Sequence, residues 1–148
     1  MSHILVVDDE EEVCAALKRR LEREGYDVTT ATSAEEACRL IRTRPEPFDV
    51  VVADMSMEHP DSGLDVLSAA IGHDLFTEVI ILTAYGNVAN AVESMRRGAF
   101  DYLEKNVPGV DTYEVLVMKV AQAMERRRAA MRTVRRLQEH AGGHPTAS

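Results

Sequence analysis

Val50-Val51-Val52-Ala53-Asp54 is an unbroken apolar run that ends on an acid. A strand with one wet face alternates apolar and polar residues. A run without alternation is covered on both faces, as strands of a parallel sheet are. Two further runs share this form. Ile4-Leu5-Val6-Val7 leads into Asp8 and Asp9, and Val79-Ile80-Ile81-Leu82 leads into Thr83. Two weaker strands are expected at residues 26–31 and 100–103, the second leading into Glu104 and Lys105.

Helical patterns fill the intervals. Val13, Ala16, Leu17 and Leu21 share one face of a helix that Gly25 ends. Ser33 and Glu36 form a capping box for the next, which Pro45 closes. A third is expected over residues 64–71, ended by Gly72. A fourth starts near Asn87, carries Val88, Val92 and Met95, and stops at Gly98. A fifth begins near Thr112. Five strand–helix alternations predict an α/β, doubly wound parallel sheet. Ligands of such sheets sit beyond the carboxyl ends of the strands, where the strand order switches. The residues at those ends are Asp8, Asp9, Asp54, Thr83, Glu104 and Lys105.

Composition bounds the alternatives. The chain has 148 residues, is 45% hydrophobic, lacks Trp and carries a formal net charge of −8. The charge argues against general nucleic-acid binding. It is uneven, because residues 112–139 hold seven Lys/Arg against three acids. Cys14 and Cys38 lack metal-ligand spacing, which fits a reducing compartment without disulfides. No signal peptide and no run long enough to span a membrane are read, so a cytoplasmic location is expected.

Any one of the strand-end residues reads most simply as a helix cap, a turn residue or a surface charge. Together at one sheet edge they point to chemistry. Clustered carboxylates need a cation to stay ionised together. An all-oxygen donor set favours Mg²⁺ or Mn²⁺, which share phosphate oxygens with carboxylates. Lys105 and Thr83 would supply a cation and a hydroxyl for phosphoryl oxygens. A strand-end carboxylate can itself attack phosphorus, and Asp54, on the most apolar strand, is the best placed.

Ile4-Leu-Val-Val-Asp-Asp-Glu10, Val50-Val-Val-Ala-Asp54, Ile80-Ile-Leu-Thr-Ala-Tyr-Gly86 and Gly98-Ala-Phe-Asp-Tyr-Leu-Glu-Lys105, in this order and spacing, resemble the response-regulator receiver domains of two-component signalling. The stretch from Thr83 to Lys105 and the long last helix are similar to receivers of AAA+ transcription activators. The resemblance implies a flavodoxin-like (βα)5 fold with an extended C-terminal helix. It implies Asp54 as phosphoacceptor and Asp8, Asp9, Asp54 and the Ser56 backbone carbonyl as metal ligands. Thr83 and Lys105 would hold the phosphoryl group, and Thr83 and Tyr102 would form the switch. The implied donor is a histidine kinase or a histidine phosphotransfer protein. The implied product is an interaction switch that assists only its own phosphorylation and dephosphorylation.

Two departures from the family pattern stand out. Asn106 follows Lys105 where the family usually has proline, and a trans Lys105–Asn106 bond is expected. The stretch Met55-Ser-Met-Glu-His-Pro-Asp-Ser-Gly63 is one residue longer than the usual loop. Other readings fit less well. An aspartyl-nucleophile phosphatase would need an acid where Ser56 stands. A flavin or nucleotide binder would need a Gly/Ser/Thr-rich loop where Asp8-Asp9-Glu10 stands. A receiver-like scaffold that is never phosphorylated would not need the retained acids, Thr83 and Lys105.

Residues 1–125 are expected to form the receiver domain. Residues 126–140 are expected to be a helical extension or linker, its stripe a candidate coiled coil. Residues 141–148 are expected to be a disordered tail. In the last helix Tyr113, Val117, Val120, Met124, Met131 and Val134 recur at spacings of three and four, with Arg127 interrupting the seam. A homodimer could form through this helix or the last strand–helix face. The output module is not readable from the sequence. Direct nucleic-acid binding by Arg126-Arg127-Arg128 is not expected, since no recognised binding motif accompanies it.

Overall fold

The computed structural model describes residues 2–143. Five strands and five helices alternate: β1 (His3–Val7), α1 (Glu11–Arg23), β2 (Asp27–Ala31), α2 (Ala34–Thr43), β3 (Val50–Asp54), α3 (Ser62–His73), β4 (Glu78–Thr83), α4 (Val88–Arg96), β5 (Asp101–Glu104) and α5 (Thr112–Gly143). All strands pair in parallel, in the order β2-β1-β3-β4-β5. This is the flavodoxin-like fold. After β1 the chain goes to β2 on one side and then crosses to β3 on the other. The crevice between β1 and β3 is therefore the switch point, with Asp8 and Asp54 at its lip.

The apolar runs become the sheet centre for the reason the pattern gives. Val50, Val52, Ile80 and Leu82 face one layer with α1 and α5. Val51, Ala53, Val79 and Ile81 face the other with α2 and α3. Each of the Val, Ile and Leu side chains so buried contributes about 1.5–3 kcal/mol. The edge strands β2 and β5 are only partly buried, which is why their sequence signal is weak.

Helix ends follow local chemistry. Gly25 takes φ +92° after α1, a conformation that suits a residue without Cβ. Asn87 caps α4 by accepting from the Asn90 amide at 3.1 Å. All described peptide bonds are trans, Lys105–Asn106 included.

The structure differs from the sequence reading, or adds to it, at four points. Gly72 does not end α3, which runs on to His73 and closes at Asp74. Val88, Val92 and Met95 are 81%, 50% and 47% exposed, so α4 turns that stripe outward and buries Ser94 instead. The packed body does not stop at residue 125. Arg126 Nε lies 2.9 Å from Glu78 Oε2, and its guanidinium stacks over Phe100. Arg127 is buried and bonds Asp49 at 2.8 Å and Asp74 at 3.1 Å. Arg128 reaches Ser2. The basic run thus fastens α5 to the amino-terminal edge of the sheet, and Arg127 closes the seam that it interrupts in sequence. Lastly, α5 continues through Gly143, beyond the expected start of the disordered tail at residue 141. Residues 144–148 of that expected tail lie outside the described residues.

Candidate functional site

Asp8 follows β1 directly and is almost fully buried, whereas Asp9 is exposed. Asp8 Oδ1 accepts from the Glu10 amide at 2.9 Å, which sets the turn into α1. Its other oxygen accepts from Lys105 Nζ at 2.6 Å. Asp54, the last residue of β3, stands across the same ammonium, with Oδ1 3.5 Å from Nζ. Lys105 arrives from the far side of the sheet because its amide donates to the Thr83 carbonyl at 2.7 Å, extending the β4–β5 pairing by one step. The Thr112 hydroxyl, at the start of α5, closes on the Lys105 carbonyl.

The electrostatics follow from burial and crowding. Asp54 is pushed up to about 6, chiefly by burial. Lys105 opposes that rise, and the charges of Asp8 and Asp9 add to it. Burial would lower Lys105, but its bond to Asp8 and the charge of Asp54 outweigh that and hold it above its ordinary value. One ammonium thus serves several acids. The carboxylate oxygens of Asp8, Asp9 and Glu10 approach within 4.8 Å of one another. A hard divalent cation fits this all-oxygen set.

The raised Asp54 value carries a stability consequence. Between about pH 4 and 6 the unfolded chain gives up the Asp54 proton before the native state does. Stability therefore falls as pH rises through that window. In metal-free buffer Asp54→Asn is expected to be more stable than the wild type at pH 7.5 by about 1–3 kcal/mol. That gain should vanish at pH 4. Urea denaturation of both proteins at the two pH values, with EDTA, checks it.

The other candidates sit as follows. Thr83 ends β4, but its hydroxyl donates to the Tyr85 carbonyl at 2.9 Å and accepts from the Tyr85 amide at 3.2 Å. It therefore faces its own loop and not Asp54. Tyr85 is 87% exposed. Tyr102, on β5, packs against the α2/α3 layer, and its buried hydroxyl has no hydrogen-bond partner among the described residues. Ser56 is exposed, with its hydroxyl donating to the Pro60 carbonyl at 2.9 Å. Glu10 was not singled out as a site residue, although it lies within a run of five consecutive acids, Asp8 to Glu12, after a strand. Glu58, also unforeseen, accepts from the Ala34 and Glu35 amides at 2.9 and 3.1 Å. Cys14 is buried and its thiol pushed up to about 11, first by burial, which leaves it unreactive.

Comparisons with known proteins identify the family and the fold. Residues 4–117 match the family model described as response regulator receiver domain. The chain is 35% identical over 122 residues to the acid tolerance regulatory protein ActR of Rhizobium meliloti, covering 82% of this chain and 61% of that protein. It is 40% identical over 102 residues to the alginate biosynthesis transcriptional regulatory protein AlgB of Pseudomonas aeruginosa, covering 69% of this chain and 22% of AlgB. It therefore spans less than two thirds of either relative. A crystal structure of a response regulator receiver domain protein from Clostridium thermocellum superposes with a TM-score of 0.76 at 35% identity, covering 88% of this chain and 99% of that one. No described helix is long and apolar enough to cross a membrane.

Proposed function

The chain belongs to the response regulator receiver domain family of two-component signalling, and we propose that Asp54 is its phosphoacceptor. The observation that supports this most is the Lys105 ammonium held between Asp8 and Asp54. It offers a cation beside a carboxylate that burial has made more basic than an ordinary Asp. An Asp54 oxygen attacks phosphorus and forms the new O–P bond. The bond from phosphorus to the donor breaks, and its electron pair leaves with the donor, an imidazole nitrogen of a histidine kinase or a histidine phosphotransfer protein. In dephosphorylation water attacks phosphorus, the Asp54 O–P bond breaks with its electron pair going to the Asp54 carboxylate, and inorganic phosphate leaves with the protons of the water. Positioning and charge neutralisation do most of the work in such transfers.

Asp8, Asp9, Asp54 and the Ser56 carbonyl would hold Mg²⁺ or Mn²⁺, which would supply charge to neutralise the acids and an incoming phosphoryl group. Lys105 leaves Asp8 for the phosphoryl group, and the Thr83 hydroxyl gives up the Tyr85 backbone to do the same. Tyr102 responds to the space that Thr83 vacates. The output is a change of protein contacts, through the β5–α5 face or the α5 extension, including a homodimer.

The test is the rate of phosphoryl uptake from acetyl phosphate. EDTA should abolish it. Lys105→Ala should slow it by about 10²-fold, in the range seen when one charge-stabilising group is removed. Thr83→Ala should slow it less, since its hydroxyl must first break two local bonds. Equal rates in wild type and Lys105→Ala would refute the role given to Lys105.

A further inference from the structure

The loop after Asp54 is mostly bonded to itself. Ser56 Oγ donates to the Pro60 carbonyl, the Met57 amide to the His59 carbonyl, and the His59 amide to Ser62 Oγ. Its base is fixed by the Met55 amide on the Leu82 carbonyl and the Gly63 amide on the Met55 carbonyl, both at 2.8 Å. Outside that base, Met57 packs against the core on the α2/α3 side, and Glu58 makes the loop's hydrogen bonds to α2.

Glu58 lies four residues after Asp54 and two after Ser56. Its two oxygens take the first two amides of α2, Ala34 at 2.9 Å and Glu35 at 3.1 Å. The third, Glu36, goes to Ser33 Oγ at 3.1 Å. A helix begins with amides that have no intrahelical partner, and a carboxylate there is favoured by both the hydrogen bonds and the helix dipole. Burial would raise the Glu58 carboxyl, but the Ala34 and Glu35 amides outweigh it and hold it below its ordinary value.

We propose that Glu58 is a positioning residue: by clamping the first turn of α2 it fixes the loop that presents the Ser56 carbonyl, and so couples cation binding at the Asp54 site to α2. This rests on the reading of Ser56 and Asp54 as cation ligands. By linkage the coupling runs both ways. Cation binding changes the environment of the Ala34 and Glu35 amides, and loss of the clamp weakens cation binding. Residues that orient a metal ligand typically change affinity by about 10–100-fold when removed. Ser56 binds through a backbone carbonyl on a loop also held at its base, so the lower end, roughly tenfold, is expected here.

The experiment is a Mg²⁺ titration followed by backbone amide NMR on wild type, Glu58→Ala, Glu58→Gln and Ser33→Ala. In wild type the Ala34 and Glu35 resonances should shift with the same midpoint as those of Asp9 and Asp54. In Glu58→Ala the α2 response should disappear and the midpoint should rise roughly tenfold. Glu58→Gln keeps an acceptor without the charge and should fall between. Ser33→Ala removes a different α2 cap and should leave the midpoint unchanged. A wild-type midpoint in folded Glu58→Ala and Glu58→Gln would overturn the inference alone. So would an equal rise in Ser33→Ala, since the effect would then come from α2 stability. Absence of any Mg²⁺ response in the wild type would overturn it together with the reading beneath it.

Discussion

Arg127→Ala is expected to lower the unfolding free energy by about 3–5 kcal/mol, the range for removing one partner of a buried ion pair. The guanidinium side chain is 7% exposed and bonds Asp49 and Asp74, whose own side chains are 25% and 16% exposed. Asp49 also accepts from the His3 amide at 2.7 Å, and Asp74 is the C-cap of α3. One side chain therefore joins α5, β3 and α3 at the edge opposite the candidate site. Truncation leaves two half-buried carboxylates facing each other without a cation. For a chain of this size the melting temperature should drop by roughly 10 °C. Arg128 is the control. It is 55% exposed and its ion pair with Glu125 spans 4.0 Å, so Arg128→Ala should cost less than about 1 kcal/mol. Thermal and urea unfolding of both variants checks the contrast, and equal losses would contradict the clamp.

Gly63→Ala should damage the candidate site from behind. A Cβ at Gly63 would lie 2.8 Å from both the Asp54 carbonyl oxygen and the Met55 Cα. Both are backbone atoms, so the start of α3 must move away or the end of β3 must give. Overpacking of this kind costs about 1–3 kcal/mol. The chemical cost should be larger, because a misplacement near 1 Å can slow a positioned reaction by about 10²-fold. Phosphoryl uptake from acetyl phosphate should fall by that order while the protein remains folded at 25 °C. Gly72→Ala offers the opposite case. No atom lies within 4 Å of a Cβ there, and the residue sits inside α3, so alanine should stabilise by about 0.5–1 kcal/mol without altering uptake. Parallel unfolding curves and uptake rates for the two variants separate these outcomes. A full uptake rate in Gly63→Ala would show that the Asp54 backbone tolerates displacement.

The parts of this molecule legible in its sequence are those set by local pattern. Val50-Val51-Val52-Ala53 and Val79-Ile80-Ile81-Leu82 are apolar on both faces because both faces are covered. Each strand also ends beside a polar residue, so the sequence alone assigns Asp8, Asp54, Thr83 and Lys105 to one edge. What stayed hidden depends on contacts between distant segments. Arg127 looks like a flaw in an apolar seam until Asp49 and Asp74, 78 and 53 residues away, are brought to the same edge. Glu58 looks like one more loop acid until α2 arrives from 24 residues upstream. Periodicity gave α4 a stripe of Val88, Val92 and Met95 but not its direction. Ser94 is the residue that turns inward, its hydroxyl satisfied by the Asn90 carbonyl at 2.7 Å. The Thr83 hydroxyl, at the foreseen position, is engaged by Tyr85, a detail of loop geometry that no spacing rule encodes.

Intact-mass measurement of wild type and Asp54→Ala after incubation with acetyl phosphate, with Mg²⁺ and with EDTA, addresses the phosphoacceptor itself. The expected result is the added mass of one phosphoryl group on the wild type with Mg²⁺, and none with EDTA or in the variant. Phosphoryl mass retained by Asp54→Ala would contradict the assignment, because another side chain would then be the acceptor.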